Sequence, residues 1–374
     1  MNLAKSLEPV IDPNNRITFL LDWELTMKCN LDCSYCPTGI NGGHDNSQRH
    51  PPFEECVKTI DFMFEYADIY MRTKPKGIKY VILNVYGGEA LYHPNIVEIL
   101  SVLRERYQPY QDRWHLTITT TTNGIIAPAR LDRIIPLIDE FTVSYHTENT
   151  PKQKQQFRDN LLKIKSAGCR QKCVVLMHAK PDRFADAQEM ISWLTLNDIK
   201  YLPRQLDHYL TREEFHYEQQ QVIWFEGLYK KPLDHAVMHY NKADLSDTGR
   251  ACCGGRNLCE NQNRREPQKF VSNKFPGWYC SVNHFFLYVK QVNGEVYINK
   301  DCKMNYNGTV GPIGNLNHIE PILAQARDPD KPVIRCAKKL CFCGLCAPKA
   351  ENLDTYQTIM KKYEIPNPDI LHQT

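Results

Sequence analysis

The chain has 374 residues, a formal net charge of +3, 42% hydrophobic residues and 24% charged residues. That size suits one large α/β domain with a smaller companion, and so neutral a balance gives no electrostatic case for a nucleic-acid or membrane partner. No apolar run is long enough to span a bilayer and residues 1–15 lack the apolar centre of a signal peptide, so the expectation is a cytoplasmic protein.

After a lead at 1–15, residues 17–27 alternate, with Ile17, Phe19, Leu21, Trp23, Leu25 and Met27 on one face of a strand. A cysteine loop follows directly, then a stretch rich in Gly, Asn and His. A helix begins near Pro52, carrying Val57, Ile60, Met63, Phe64 and Ala67 at helical spacing. Further strands are expected at 80–85, 115–121, 141–144, 173–177 and 199–202, and further helices at 94–107, 128–138, 152–167 and 185–196. Six strands alternating with helices imply a parallel sheet, and six units fall short of the eight that close a barrel. The expected fold is α/β, a partial, open (β/α)6 TIM-like barrel over residues 16–208. Residues 209–248, with Val222, Phe225 and Leu228 at helical spacing, read as a helical connector. Residues 249–350 read as a small cysteine-rich C-terminal domain. One hairpin is expected there, from strands at 285–292 and 295–299 around Asn293-Gly294. Residues 351–374 read as a short helix and a frayed tail.

Fifteen cysteines, nine of them between Cys252 and Cys346, set this composition apart. Without an export signal, disulfides explain them poorly, and the spacing reads as metal or cluster ligation. Cys29, Cys33 and Cys36 form a C-x3-C-x2-C motif at the end of the first strand. Three thiolates hold three irons of a [4Fe–4S] cube and leave the fourth iron open. Zinc prefers four ligands, and His44 or His50 would have to complete such a site. Gly87-Gly88-Glu89 follows the second strand, and Thr122-Asn123-Gly124 closes the third. Ser144 and His146 end the fourth, His178 and Lys180 the fifth, and Arg204 and Gln205 the sixth. Carboxyl ends of barrel strands line the pocket. A glycine turn, an Asn-Gly turn or a solvated rim is the plainer reading of each. Cys56, Cys169 and Cys173 read as ordinary buried thiols.

Together these motifs resemble the radical S-adenosylmethionine (radical SAM) superfamily, whose signature is C-x3-C-x-aromatic-C, with Tyr35 in the aromatic position. The resemblance implies a [4Fe–4S] cluster on Cys29, Cys33 and Cys36, with SAM bound at the open iron. It also implies reductive cleavage of SAM to a 5′-deoxyadenosyl radical that abstracts hydrogen from a substrate. Tyr35, Gly87, Gly88, Glu89, Asn123 and Ser144 are then the expected cofactor-binding residues, with the Glu89 carboxylate on the methionyl amine. His146 and His178 become the catalytic candidates. Ala90 stands where the family usually has Pro.

Cys280 and Cys302, flanking the hairpin, and the group Cys336, Cys341, Cys343 and Cys346 resemble the SPASM/twitch extension, which holds one or two auxiliary [4Fe–4S] clusters. Here the spacing from Gly294 to Cys302 is longer than in the family and the terminal group is tighter. Cys252, Cys253 and Cys259 add further thiols, and a zinc site at 336–346 is the alternative. Members with this extension often modify peptide or protein side chains, while others act on small molecules such as a sugar, aminoglycoside or nucleoside. The 28 residues before Cys29 are too few for the winged-helix domain with which many members bind a leader peptide. The expected partners are such a substrate and an electron donor such as flavodoxin or ferredoxin, with no membrane or nucleic acid. A non-catalytic Fe–S or zinc nucleic-acid-binding protein is the reading from another class. Methylthiolation of transfer RNA ranks lower, since no added RNA-binding domain is evident.

Overall fold

Alternation of apolar residues makes β1 (Arg16–Thr26) a strand with one buried face. The computed structural model describes residues 6–7, 16–36, 50–73, 78–206, 216–230, 275–300, 302–305, 309–328, 333–337 and 349–361. Phe19, Leu21, Trp23 and Leu25 are buried together against α1 (Phe53–Arg72). The Phe19 ring lies 4.4 Å from that of Tyr70 and 6.0 Å from that of Tyr66. Each large apolar side chain so buried contributes about 1.5–3 kcal/mol. Along α1, Cys56, Ile60, Met63, Phe64, Ala67 and Met71 recur every three or four residues on the face toward the sheet.

The pattern repeats through β2 (Ile78–Gly87), α2 (Ile96–Tyr107), β3 (His115–Thr122), α3 (Pro128–Ile134) and β4 (Glu140–Tyr145). It continues through α4 (Pro151–Ser166), β5 (Arg170–Met177), α5 (Pro181–Leu196) and β6 (Tyr201–Gln205). Each strand pairs in parallel with the one before it. Parallel neighbours need a crossover, which the helices supply. The fifth helix begins at Pro181 rather than near 185, because proline at the first helical position is pre-set for the helix. The α3 helix ends early, at Ile134, where Pro136 cannot continue the ladder. The sixth strand runs from Tyr201 rather than Ile199, and its Pro203 is tolerated because β6 is an edge strand.

The other edge carries an addition. The strands β7 (Phe286–Lys290), β8 (Glu295–Tyr297) and β9 (Gly314–Asn315) extend the sheet, in the order β9-β8-β7-β1-β2-β3-β4-β5-β6. The β7 strand runs parallel to β1, and β8 and β9 add antiparallel. Among the described residues the sheet has nine strands and does not close. The hairpin strands are shorter than the sequence suggests. Lys290 pairs with Glu295, so four residues make the turn, with Gly294 at φ +69°. Trp23 Nε1 donates to Gln291 Oε1 at 3.0 Å and ties the hairpin to β1. The helices α6 (Gln219–Lys230), α7 (Glu320–Arg327) and α8 (Leu353–Met360) complete the fold. No helix among the described residues is long and apolar enough to cross a membrane.

A second core lies on the other face of β1. Leu20 there joins Phe286 of β7 and Phe275, Val282, Ile298, Met304 and Ile334. A small four-stranded sheet borders it, made of Ser6–Leu7, Lys349–Ala350, Tyr279–Cys280 and Ile334–Arg335.

Candidate active site

The cysteine loop is pinned where β1 and β2 end side by side. Gly88 N donates to Thr26 O at 2.7 Å, and Glu89 N to Lys28 O at 2.8 Å. A Cβ on Gly88 would stand 2.5 Å from Lys28 O and 2.6 Å from Met27 O, so only glycine permits this approach. Gly88→Ala therefore forces the cysteine loop away from β2. The expected cost is about 1–3 kcal/mol by overpacking, read as a lower urea midpoint, with weaker SAM binding in calorimetry.

Cys29, Cys33 and Cys36 line one cavity together with Tyr35, Gly87, Gly88, Thr121, Thr122, Asn123, Ser144, His146, Leu176, Arg204, Gln205 and Leu206. The wall is thus drawn from the carboxyl ends of β1 to β6, where parallel barrels place their chemistry. Burial pushes the Cys29 thiol up to about 12, with the charges of Glu89 and Cys36 adding to the rise. Cys33 is driven upward by burial and then by Cys29 and Cys36. Three sulfurs that repel one another as anions call for a cationic centre between them. Among the described residues, no three His, Cys, Asp or Glu side chains converge on a point that a single ion would occupy. A four-iron cube asks for no such convergence, since each thiolate takes a different iron. The donor set fits the cluster better than a lone zinc ion. His50 is engaged elsewhere, with Nδ1 3.2 Å from Thr26 Oγ1, and His44 lies outside the described residues.

Glu89 sits one layer deeper than the sequence suggests. It is buried and absent from the cavity wall. Its carboxylate accepts from Thr122 Oγ1 at 2.9 Å, Asn123 N at 2.6 Å and Leu91 N at 3.1 Å. These bonds tie the Gly-Gly-Glu loop to the Thr-Asn-Gly turn. Asn123 carries the tie to the cysteines, with Nδ2 2.7 Å from Asn30 Oδ1 and 3.6 Å from Cys29 Sγ. The turn is also a real turn: Asn123 Oδ1 accepts from Ile125 N at 2.9 Å, and Gly124 has φ +74°.

His146 lies on the wall, with Nδ1 2.8 Å from the Tyr35 hydroxyl and 3.3 Å from Cys33 Sγ. Burial lowers it to about 4, so the ring is neutral at pH 7. His178 is buried edge-on to Tyr35 at 6.0 Å, with Nδ1 accepting from Lys180 N at 3.1 Å. Its ring backs the Tyr35 side chain and is not among the residues lining the cavity. One brace was missed in the sequence. Glu148 accepts from Ser34 N at 2.7 Å and Ser34 Oγ at 2.6 Å, and pairs with Arg183. Burial alone would raise its carboxyl, but the Ser34 and Arg183 hydrogen bonds outweigh that and hold it below the usual range. The only sequence signal was an acidic residue two places beyond His146.

Farther along the chain, Cys280, Cys302 and Cys336 are all buried in the second core. Cys336 N donates to Trp278 O at 2.9 Å, and Gly277 N to Cys336 O at 2.6 Å. Cys252, Cys253, Cys259, Cys341, Cys343 and Cys346 lie outside the described residues.

Residues 23–194 match the Radical SAM superfamily. Residues 23–194 form a radical SAM domain. No curated protein matches the chain by sequence. Among solved structures, a polyhistidine-tagged anSMEcpe with bound AdoMet is similar, at 12% identity and TM-score 0.50 over 93% of this chain and 93% of that one. Native anSMEcpe with bound AdoMet gives 12%, 0.49, 92% and 96%. Methylornithine synthase (PylB) gives 16%, 0.37, 58% and 64%. The first of these supports the partial-barrel fold. The radical SAM domain supports a radical SAM enzyme and implies a [4Fe–4S] cluster and SAM as its cofactors, with a substrate and an electron donor to serve.

Proposed function

We propose that this radical SAM enzyme abstracts hydrogen from a peptide or protein side chain, with residues 249–350 serving as an auxiliary-cluster domain. The reading rests on one observation: Cys29, Cys33 and Cys36 share a single cavity with the ends of the other barrel strands. When bound, the cluster supplies the electron that cleaves SAM to a 5′-deoxyadenosyl radical. The chain's own residues do the holding. Gly87 and Gly88 admit the backbone of Thr26, Met27 and Lys28 at close range and so seat the cysteine loop, and Asn123 braces Cys29. Ser144 offers a hydroxyl from the wall, and neutral His146 steadies Tyr35 beside Cys33. Cys280, Cys302 and Cys336 offer thiols from the second core to an auxiliary [4Fe–4S] cluster. A reducing cytoplasmic setting, with flavodoxin or ferredoxin as donor, suits so many thiols.

The test is anaerobic reconstitution with SAM and dithionite, which should release 5′-deoxyadenosine. Supplied with a perdeuterated peptide fraction, the protein should pass deuterium into that product. Deuterium taken only from a perdeuterated small-metabolite fraction would refute the peptide assignment. Cys302→Ala should leave uncoupled SAM cleavage largely intact while deuterium transfer falls by at least about tenfold, as when metal-site supports are removed. Equal losses in the two assays would show that the C-terminal thiols have no separate role.

A further inference from the structure

Two polar groups crowd the sulfur of Cys33. His146 Nδ1 lies 3.3 Å from Cys33 Sγ and 2.8 Å from the Tyr35 hydroxyl. That hydroxyl hydrogen-bonds the same sulfur. Both rings belong to the cavity wall, and their planes lie within 3° of parallel. The triangle is held from outside. Glu148 grips Ser34 N and Ser34 Oγ, between Cys33 and Tyr35, and the buried His178 ring stands edge-on to Tyr35. A cysteine that ligates iron does so as a thiolate, which accepts hydrogen bonds and donates none. An imidazole presents either a proton or a lone pair at Nδ1. A lone pair there would face the anion, so ligation fixes the proton on Nδ1. The phenol proton then turns to the sulfur, and its oxygen accepts from Nδ1. The three groups form a chain of donors that ends on Cys33.

We propose that Tyr35 and His146 are a hydrogen-bond donor chain to Cys33 that raises the reduction potential of the barrel-site cluster; this rests on the assignment of that cluster to Cys29, Cys33 and Cys36. Hydrogen bonds to ligand sulfurs are among the means by which a protein sets an iron–sulfur potential. A donor withdraws electron density from the thiolate, and the gain is larger once the cluster has taken up an electron. Reduction is thereby favoured, which eases electron entry from a donor of the flavodoxin or ferredoxin class. Members of a hydrogen-bond chain polarise one another, so His146 acts on the sulfur through Tyr35 as well as directly. His146 is thus a positioning residue for the cluster rather than an acid or base toward substrate.

The experiment is a redox titration of the full-length protein, reconstituted anaerobically without SAM and followed by electron paramagnetic resonance, with iron counted in every sample. The barrel cluster is the one whose signal is missing in Cys33→Ala. Tyr35→Phe should keep its iron and shift that cluster's reduction equilibrium about tenfold toward the oxidised form, or ~59 mV downward for one electron. His146→Leu should move it the same way. His146→Asn, which keeps an N–H where Nδ1 stands, should restore most of the shift. An unchanged midpoint in Tyr35→Phe overturns the donor chain and leaves the cluster assignment standing. If wild type shows no signal that Cys33→Ala removes, the assignment itself fails and takes this inference with it. Should Tyr35→Phe lose iron, the two His146 variants decide. A shift or a loss of iron in His146→Leu that His146→Asn corrects supports the donor chain, and like behaviour of the two overturns it.

Discussion

Cys33→Ala, reconstituted anaerobically with SAM and dithionite, will release 5′-deoxyadenosine at no more than the rate of a protein-free control. Cys33 is the middle thiol of the loop, and its sulfur faces both the cavity and His146 Nδ1 at 3.3 Å. Two thiolates on one short loop leave half the corners of a cube without protein ligands, where three leave one. The loop itself should survive. Cys36 N donates to Cys33 O at 3.0 Å, and Ser34 is held by Glu148, and neither bond uses the Cys33 side chain. Far-ultraviolet circular dichroism should therefore match wild type while iron content drops. Cys56→Ala is the control, since that thiol is buried within α1 and away from the cavity. It should cleave SAM at the wild-type rate. Measurable turnover by Cys33→Ala, with iron retained, would remove the cluster from Cys29, Cys33 and Cys36.

Much of this architecture was legible because it depends on short-range pattern. Period-two alternation located β1, and helical spacing located the face that α1 buries against it. The cysteine spacing and its place after a strand gave the mouth of the cavity. Depth was not legible. Glu89 and His178 sit near strand ends just as Gly88 and His146 do, yet they turn behind the wall. Which way each turns is decided by Thr122, Asn123 and Tyr35, on other elements. The Ser34–Glu148–Arg183 brace joins three segments more than a hundred residues apart at its widest, so no local window contains it.

Glu89→Ala should be among the most destabilising single changes at the site, by at least about 3 kcal/mol. It strands three buried donors at once, on Thr122, Asn123 and Leu91, at roughly 1–3 kcal/mol each. Glu89→Gln should cost less, about 1–3 kcal/mol, because one amide oxygen survives while the amide N–H2 faces a donor. Urea midpoints at fixed pH give this order, with cluster content falling in parallel as the Thr-Asn-Gly turn loosens from Cys29. The pH dependence distinguishes a buried carboxyl from a mere space-filler. Burial lifts Glu89 from an ordinary 4.5 to about 7, against the pull of its three donors. The folded value lies above the unfolded one, so the native state holds the extra proton between them. Wild-type stability therefore declines as pH rises through that window and levels off above it. Glu89→Gln has no proton to lose there. The wild-type advantage over it should shrink between about pH 5 and pH 7. Parallel stability curves for the two proteins across that range would mean that Glu89 is ionised throughout in the folded chain, with its donors prevailing over burial.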